Sequence, residues 1–160
     1  MRSLIRTTAP GSVVLVRLLV GGVFLAEGVQ KFLFPAELGA GRFARIGIPW
    51  PEAMGPFVGV AEIACGALII LGLLTRVAAV VMLIDISVAI VSTKLPILLG
   101  HGIGPFSLAK LPRYGVWSMI HEARTDFCMW LGSLFLVLVG AGLFSLDAII
   151  ARAPSRRTRP

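Results

Sequence analysis

Charge is scarce in this chain. Only 14% of its 160 residues are charged, eight acids against fifteen bases. Cysteine and histidine are scarcer still, two of each. Cys65 and Cys128 form no C-x-x-C pair. Counted along their apolar runs they differ in depth by roughly 10 Å, beyond the ~7 Å Cα separation a disulfide tolerates. They read as small buried apolar residues. His101 and His121 fall in a connection, not mid-run, so a haem held by helix-borne histidines is not expected. Nucleotide, phosphate-loop and triad patterns are absent. The net charge of +7 sits largely at the chain ends, flanking apolar runs. Bases placed there act as topology signals and headgroup contacts, so no nucleic-acid partner is expected.

Apolar surface is what the chain has in abundance. The hydrophobic fraction is 57% and the mean hydropathy +0.92. A water-soluble protein of this size could not cover that much apolar surface, whereas lipid can. The expected fold class is all-α: a transmembrane four-helix bundle with a long loop between helices 3 and 4. The spans are expected at about 13–34, 55–74, 77–95 and 125–144. Residues 1–11 read as a basic leader, 12–150 as the membrane domain and 151–160 as a basic, disordered tail. The first span is expected to be retained, because Arg17 interrupts its apolar run and no small-residue cleavage site follows. Residues 35–54 form a polar connection in which FARIG has the look of a short surface helix. Residues 96–123 form the longest connection.

The chain is organised around VVLVRLLVGGVFLAEGVQKFLF, residues 13–34. It is long enough to cross a bilayer, yet it carries Arg17, Glu27, Gln30 and Lys31. Charges at membrane depth are costly, and so mark a functional site unless they pair. Arg17, Gly21, Phe24, Gly28 and Lys31 share one helical stripe. Gly55, Gly59, Glu62 and Gly66 share another, and small residues permit close helix packing. Glu27 and Glu62 then lie at matched depth, roughly 10 Å below the loop-side surface. Lys31, Lys94, Arg124 and Asp126 lie near that surface. Arg17, Arg76, Asp85 and Asp147 make a second group toward the termini. For Arg17 with Asp85, and Arg76 with Asp147, register-fixing pairs and function stand level. For Glu27, Lys31 and Glu62 function is the better reading, because two carboxylates at one depth call for a proton, a cation or a ligand. His121, Glu122 and Asp126 could line the start of a helix and hold a metal. Capping of the helix dipole is the simpler account, and no metal site is expected.

RLLVGGVFLAEGVQKF, the glycine-rich second span with Glu62 running into GLLTR, and the ending VGAGLFSLDAII together resemble the DoxX family of small membrane proteins. HEARTDF resembles a bacterial variant of it. The resemblance covers about residues 12–150. It implies a four-helix membrane bundle in the bacterial inner membrane and a redox association. The family takes its name from a subunit of an archaeal thiosulfate:quinone oxidoreductase. Other members resemble accessory proteins of oxidoreductase assemblies, and distant relatives serve as chaperones or cargo receptors. Arg17, Glu27, Lys31, Glu62, Arg76 and Asp147 occupy the matching positions; Asp85 joins them on the reading of the residues. The loop 96–123 is longer than the family pattern.

Three functions are expected in order. The first is a non-catalytic accessory subunit bound to a membrane redox or respiratory complex. The second is a quinone-linked component, binding quinone or a small sulfur anion in the loop-side cluster. The third is a proton or small-solute conduit. With no catalytic motif and no intrinsic cofactor expected, electron transfer would need a group from outside, which favours the first. Bases are evenly divided between the two sides but denser on the terminal side, so both termini are expected in the cytoplasm.

Overall fold

A computed structural model describes residues 8–152. The expected leader falls partly, and the tail mostly, outside the described residues. Helix α1 is Val13–Leu33, α2 is Ala40–Ile46 and α3 is Pro51–Leu71. Helix α4 begins as Thr75–Ala89, passes through one π-helical turn, Ile90–Lys94, and ends as Leu95–Leu99. Helix α5 is Val116–Val139 and α6 is Leu146–Arg152. The described residues contain no strand, only an isolated bridge between Ile103 and Phe106. The fold is therefore all-α.

Helix boundaries follow backbone chemistry. Pro51 opens α3 at a position where its missing N–H costs nothing, so α3 starts four residues earlier than the apolar run alone implies. It closes at Gly72, whose φ of +69° is the left-handed cap that glycine adopts freely. The tight turn is thus 72–74, and Thr75 and Arg76, expected to form it, belong to α4. Pro96 does not end α4. Its ring and missing N–H forbid the regular hydrogen bond to Ser92, and the helix accommodates this by widening into the π turn. Gly115 opens α5 about nine residues before the expected start, and Gly140 closes it at Val139 rather than 144. The long connection therefore shrinks to residues 100–115.

Three helices are long and apolar enough to cross a membrane: α1, α3 and α4 taken as Thr75–Leu99. Helix α5 is as long, but it carries Glu122, Arg124 and Asp126 in its first half and does not meet the same standard.

Helix α1 packs along α3, and α4 along α5. A Cβ on Gly21 would stand 2.7 Å from the Gly66 carbonyl oxygen, and one on Gly28 would stand 2.7 Å from that of Gly59. The two backbones touch at both crossings, as the two small-residue stripes predict. Val20, Phe24, Ile69, Ala79, Met82 and Leu136 fill the centre. Leu15, Leu19, Ile84 and Leu138 point outward and are exposed, as a lipid-facing surface requires.

Candidate functional site

The bundle holds two polar layers with different construction. The first lies where the turn 72–74 meets residues 140–147. Arg17 is 2% exposed. Its Nε donates to the Ile69 carbonyl at 2.9 Å and its Nη2 to Ile70 at 2.6 Å. Its Nη1 donates to Ala141 at 3.1 Å and to Phe144 at 2.5 Å. The first two acceptors are among the last carbonyls of α3, beyond its regular i to i+4 ladder, Ile69 also accepting from the Gly72 N–H at 3.1 Å, and there the helix dipole is negative. Asp147, 1% exposed, does the reverse. Its Oδ1 accepts from Leu74 N at 2.8 Å and its Oδ2 from Thr75 N at 3.1 Å, capping the positive end of α4. Its own N–H donates to the Gly72 carbonyl at 2.8 Å. Arg76 donates to the terminal carbonyls of α5: Val137 at 3.2 Å, and Leu138 and Val139 at 3.4 Å each.

This layer corrects both expected ion pairs. Arg17 does not reach for Asp85, and Arg76 is directed to α5 carbonyls rather than to Asp147. Sequence spacing shows which charges share a depth. It does not show that unpaired helix-end groups at that depth outnumber the side chains and capture them first.

The second layer lines a cavity of about 620 Å³ between α1, α3, α4 and α5, roofed by α2 and the segment leading to α3. Lys31 Nζ stands 2.6 Å from Glu62 Oε2. Glu62 is 5% exposed. Asp85 on α4 lines the same cavity. Carboxyls that share a low-dielectric space call for a proton or a cation, and Lys31 supplies one positive charge, to Glu62. Glu27 lines the same cavity, half-buried. Asp85 thus belongs with the loop-side group, not the terminal one. Counted outward from the 72–74 turn, Glu62 is nine residues into α3 and Asp85 ten into α4. Those counts put both at roughly 14–15 Å depth.

The π turn builds a further part of the wall. Ser92 and Thr93 fold their hydroxyls back onto the Ala89 carbonyl, at 3.3 and 2.7 Å. Lys94 Nζ stands 3.3 Å from Asp126 Oδ2 on α5. Glu122 and Arg42 also border the space. The sequence reading placed Lys94 and Asp126 near this surface without pairing them, and it passed over Ser92 and Thr93. Three polar residues in an apolar helix, just before Pro96, were the signal. Phe24, Phe43, Phe57, Met82 and Met129 complete an apolar lining.

His121, Glu122 and Asp126 lie in the second and third turns of α5, so they do not cap its start, and the first turn of α5 holds no acid. No group of three or more His, Cys, Asp or Glu among the described residues is arranged to hold a metal. Cys65 and Cys128 are free.

Loop residues 100–115 lean on the roof: Ser107 N donates to the Ile46 carbonyl at 3.2 Å. Gly47 lies so close to Pro105 that a Cβ there would overlap its carbonyl.

Comparison with known proteins adds two findings. The family model DoxX matches residues 12–95. The "Uncharacterized membrane protein Rv3486" of Mycobacterium tuberculosis is 50% identical over 149 residues, covering 93% of this chain and 87% of that protein. No solved structure matches. With its apolar helices, its family match and a bacterial membrane relative of nearly the same extent, the chain belongs to the DoxX family of membrane proteins.

Proposed function

We propose that this chain is a non-catalytic, ligand-holding membrane subunit that works beside a redox complex, with its ligand in the loop-side cavity. The observation that carries the reading is the placement of Lys31, Glu62 and Asp85 on the wall of one cavity, where Lys31 pairs with Glu62 and not with helix-end backbone groups. The ions Arg17 and Asp147, by contrast, bury their charge against backbone carbonyls and amides. A cavity of about 620 Å³ with apolar walls and a few polar groups has the size and make-up of a small-molecule site. In this reading α5 is the fourth span, its charged first half shielded by Lys94 and the cavity, and both termini are cytoplasmic in a bacterial inner membrane. The association with a redox complex rests on family resemblance alone.

A quinone-linked oxidoreductase component is the second reading. It draws on the same geometry: a ring would lie among Phe24, Met82 and Met129, with its oxygens toward Lys31 and the acids. The experiment is purification from native membranes in mild detergent, followed by solvent extraction and identification of co-purifying proteins. A stoichiometric redox enzyme that dissociates from the Glu62→Gln variant supports the accessory role. Quinone in the extract, lost in that variant, supports the second reading. If neither is retained by the wild type, both fail.

A further inference from the structure

We propose that the loop-side cavity takes a lipophilic organic cation, and that this cation enters sideways from the bilayer between α3 and α4. This rests on reading the cavity as a ligand site.

The entry route follows from residues with two surfaces. Phe57 on α3 and Val81, Ile84 and Val88 on α4 line the cavity, yet all are exposed, Phe57 by 65% and Ile84 by 61%. A side chain can do both only at the rim of an opening. Val81 to Val88 is about 10 Å of helix at membrane depth, so the opening faces acyl chains. The lining of this cavity does not extend to the turn 72–74, where Arg17 binds the end of α3 and Asp147 the start of α4. A solute dissolved in the bilayer reaches the acids without crossing the α2 roof.

The charge preference follows from the inventory of the wall. Five carboxyls, Glu27, Glu62, Asp85, Glu122 and Asp126, face three bases, Lys31, Arg42 and Lys94. Lys31 and Lys94 are already engaged with Glu62 and Asp126. Arg42 belongs to the roof helix. Glu27, Asp85 and Glu122 therefore face one remaining base, a surplus of two carboxyls. The phenyl rings of Phe24, Phe43 and Phe57 share the same space, and aromatic faces beside acids attract desolvated cations. A neutral ligand would meet this surplus without answering it.

The test uses the full-length chain in nanodiscs of zwitterionic lipid. The probes are radiolabelled tetraphenylphosphonium and its uncharged counterpart of similar size, triphenylphosphine oxide. Saturable binding of the cation is expected at one site per chain, at least tenfold tighter than the neutral compound. Asp85→Asn should weaken the cation about tenfold, roughly one charge interaction, and leave the neutral compound unchanged. Glu27→Gln, at a half-buried position, serves the same purpose if Asp85→Asn does not fold. Val88→Trp should slow association of the cation several-fold without a matching loss of affinity. Equal binding of both compounds, or indifference to both acid variants, overturns the cation preference while leaving the cavity standing. Unchanged association in Val88→Trp overturns the sideways entry. Absence of saturable binding by either compound overturns the ligand-site reading along with this one.

Discussion

The two polar layers use similar residues for opposite ends. In the terminal layer Arg17, Asp147 and Arg76 bond to the backbone at helix ends. Arg17 closes the C-terminal end of α3, Asp147 the N-terminal end of α4 and Arg76 the C-terminal end of α5. In the loop-side layer Lys31, Glu62, Asp85, Lys94 and Asp126 face one another around open space. A charge inside a membrane bundle is therefore not a functional signal by itself. What distinguishes the layers is whether the partner is a fixed carbonyl or amide, which leaves nothing for a ligand, or a second side chain across a cavity.

That contrast predicts a ranked series of effects. The largest belongs to Arg17→Met, which strands four carbonyl contacts at the α3 end and in residues 141–144. A loss of about 3–5 kcal/mol is expected, seen as collapse of the thermal transition in detergent. A near-native transition would mean those carbonyls find water. Next is Gly28→Val. Its side chain meets the Gly59 carbonyl, and the helices must part at a cost of about 1–3 kcal/mol; an unchanged melting temperature would show that the α1–α3 crossing is slack.

Lys31→Met should come third, because it leaves Glu62 beside Asp85 without a cation. Adding Glu62→Gln in the same chain should recover most of the lost stability, whereas no such partner rescue is available to Arg17→Met. If the double variant is no better than the single, the loop-side layer is structural after all. Glu62→Gln alone should keep the fold within about 1 kcal/mol while lowering retention of ligand or partner on purification. The smallest effect is expected of Lys94→Ala, whose pair with Asp126 is partly open to solvent and worth about 1 kcal/mol or less. A larger loss would make the π turn part of the fold's core. Reporter fusions at residues 105 and 152 test orientation: external and cytoplasmic signals, respectively, fit the proposed topology, and the reverse would invert the two layers across the membrane.

Much of the fold was legible in the sequence because its grammar is simple. Apolar runs gave α1, α3 and α4, and small-residue stripes gave the α1–α3 contact. Helix ends were misjudged where glycine and proline, not hydropathy, decide them. Gly72 moved a turn by three residues, Gly115 lengthened α5, and the helix that was expected to end at about residue 95 passes Pro96 by widening into the π turn. The site was half legible. Glu27, Lys31 and Glu62 were grouped from depth alone, and they do line one cavity. Asp85 was grouped with the terminal layer, whereas it lines the loop-side cavity. Counting from the turn 72–74 sets it opposite Glu62, nine residues into α3 against ten into α4. Cavity-lining phenylalanines and methionines cannot be separated from ordinary core by spacing, since both face inward on the same stripes.

The clamp at the terminal layer has a consequence for assembly. Arg17 arrives with the first helix and Leu74 and Thr75 with the second hairpin, but Ala141, Phe144 and Asp147 are synthesised last. Until residues 141–147 leave the ribosome, a guanidinium and two amides wait inside the bilayer half-satisfied. The early helices are thus held in a provisional state that only the final segment can close. A chain that ends before Gly140 leaves the Arg17 Nη1 without the Ala141 and Phe144 carbonyls, and the Leu74 and Thr75 amides without the Asp147 carboxylate.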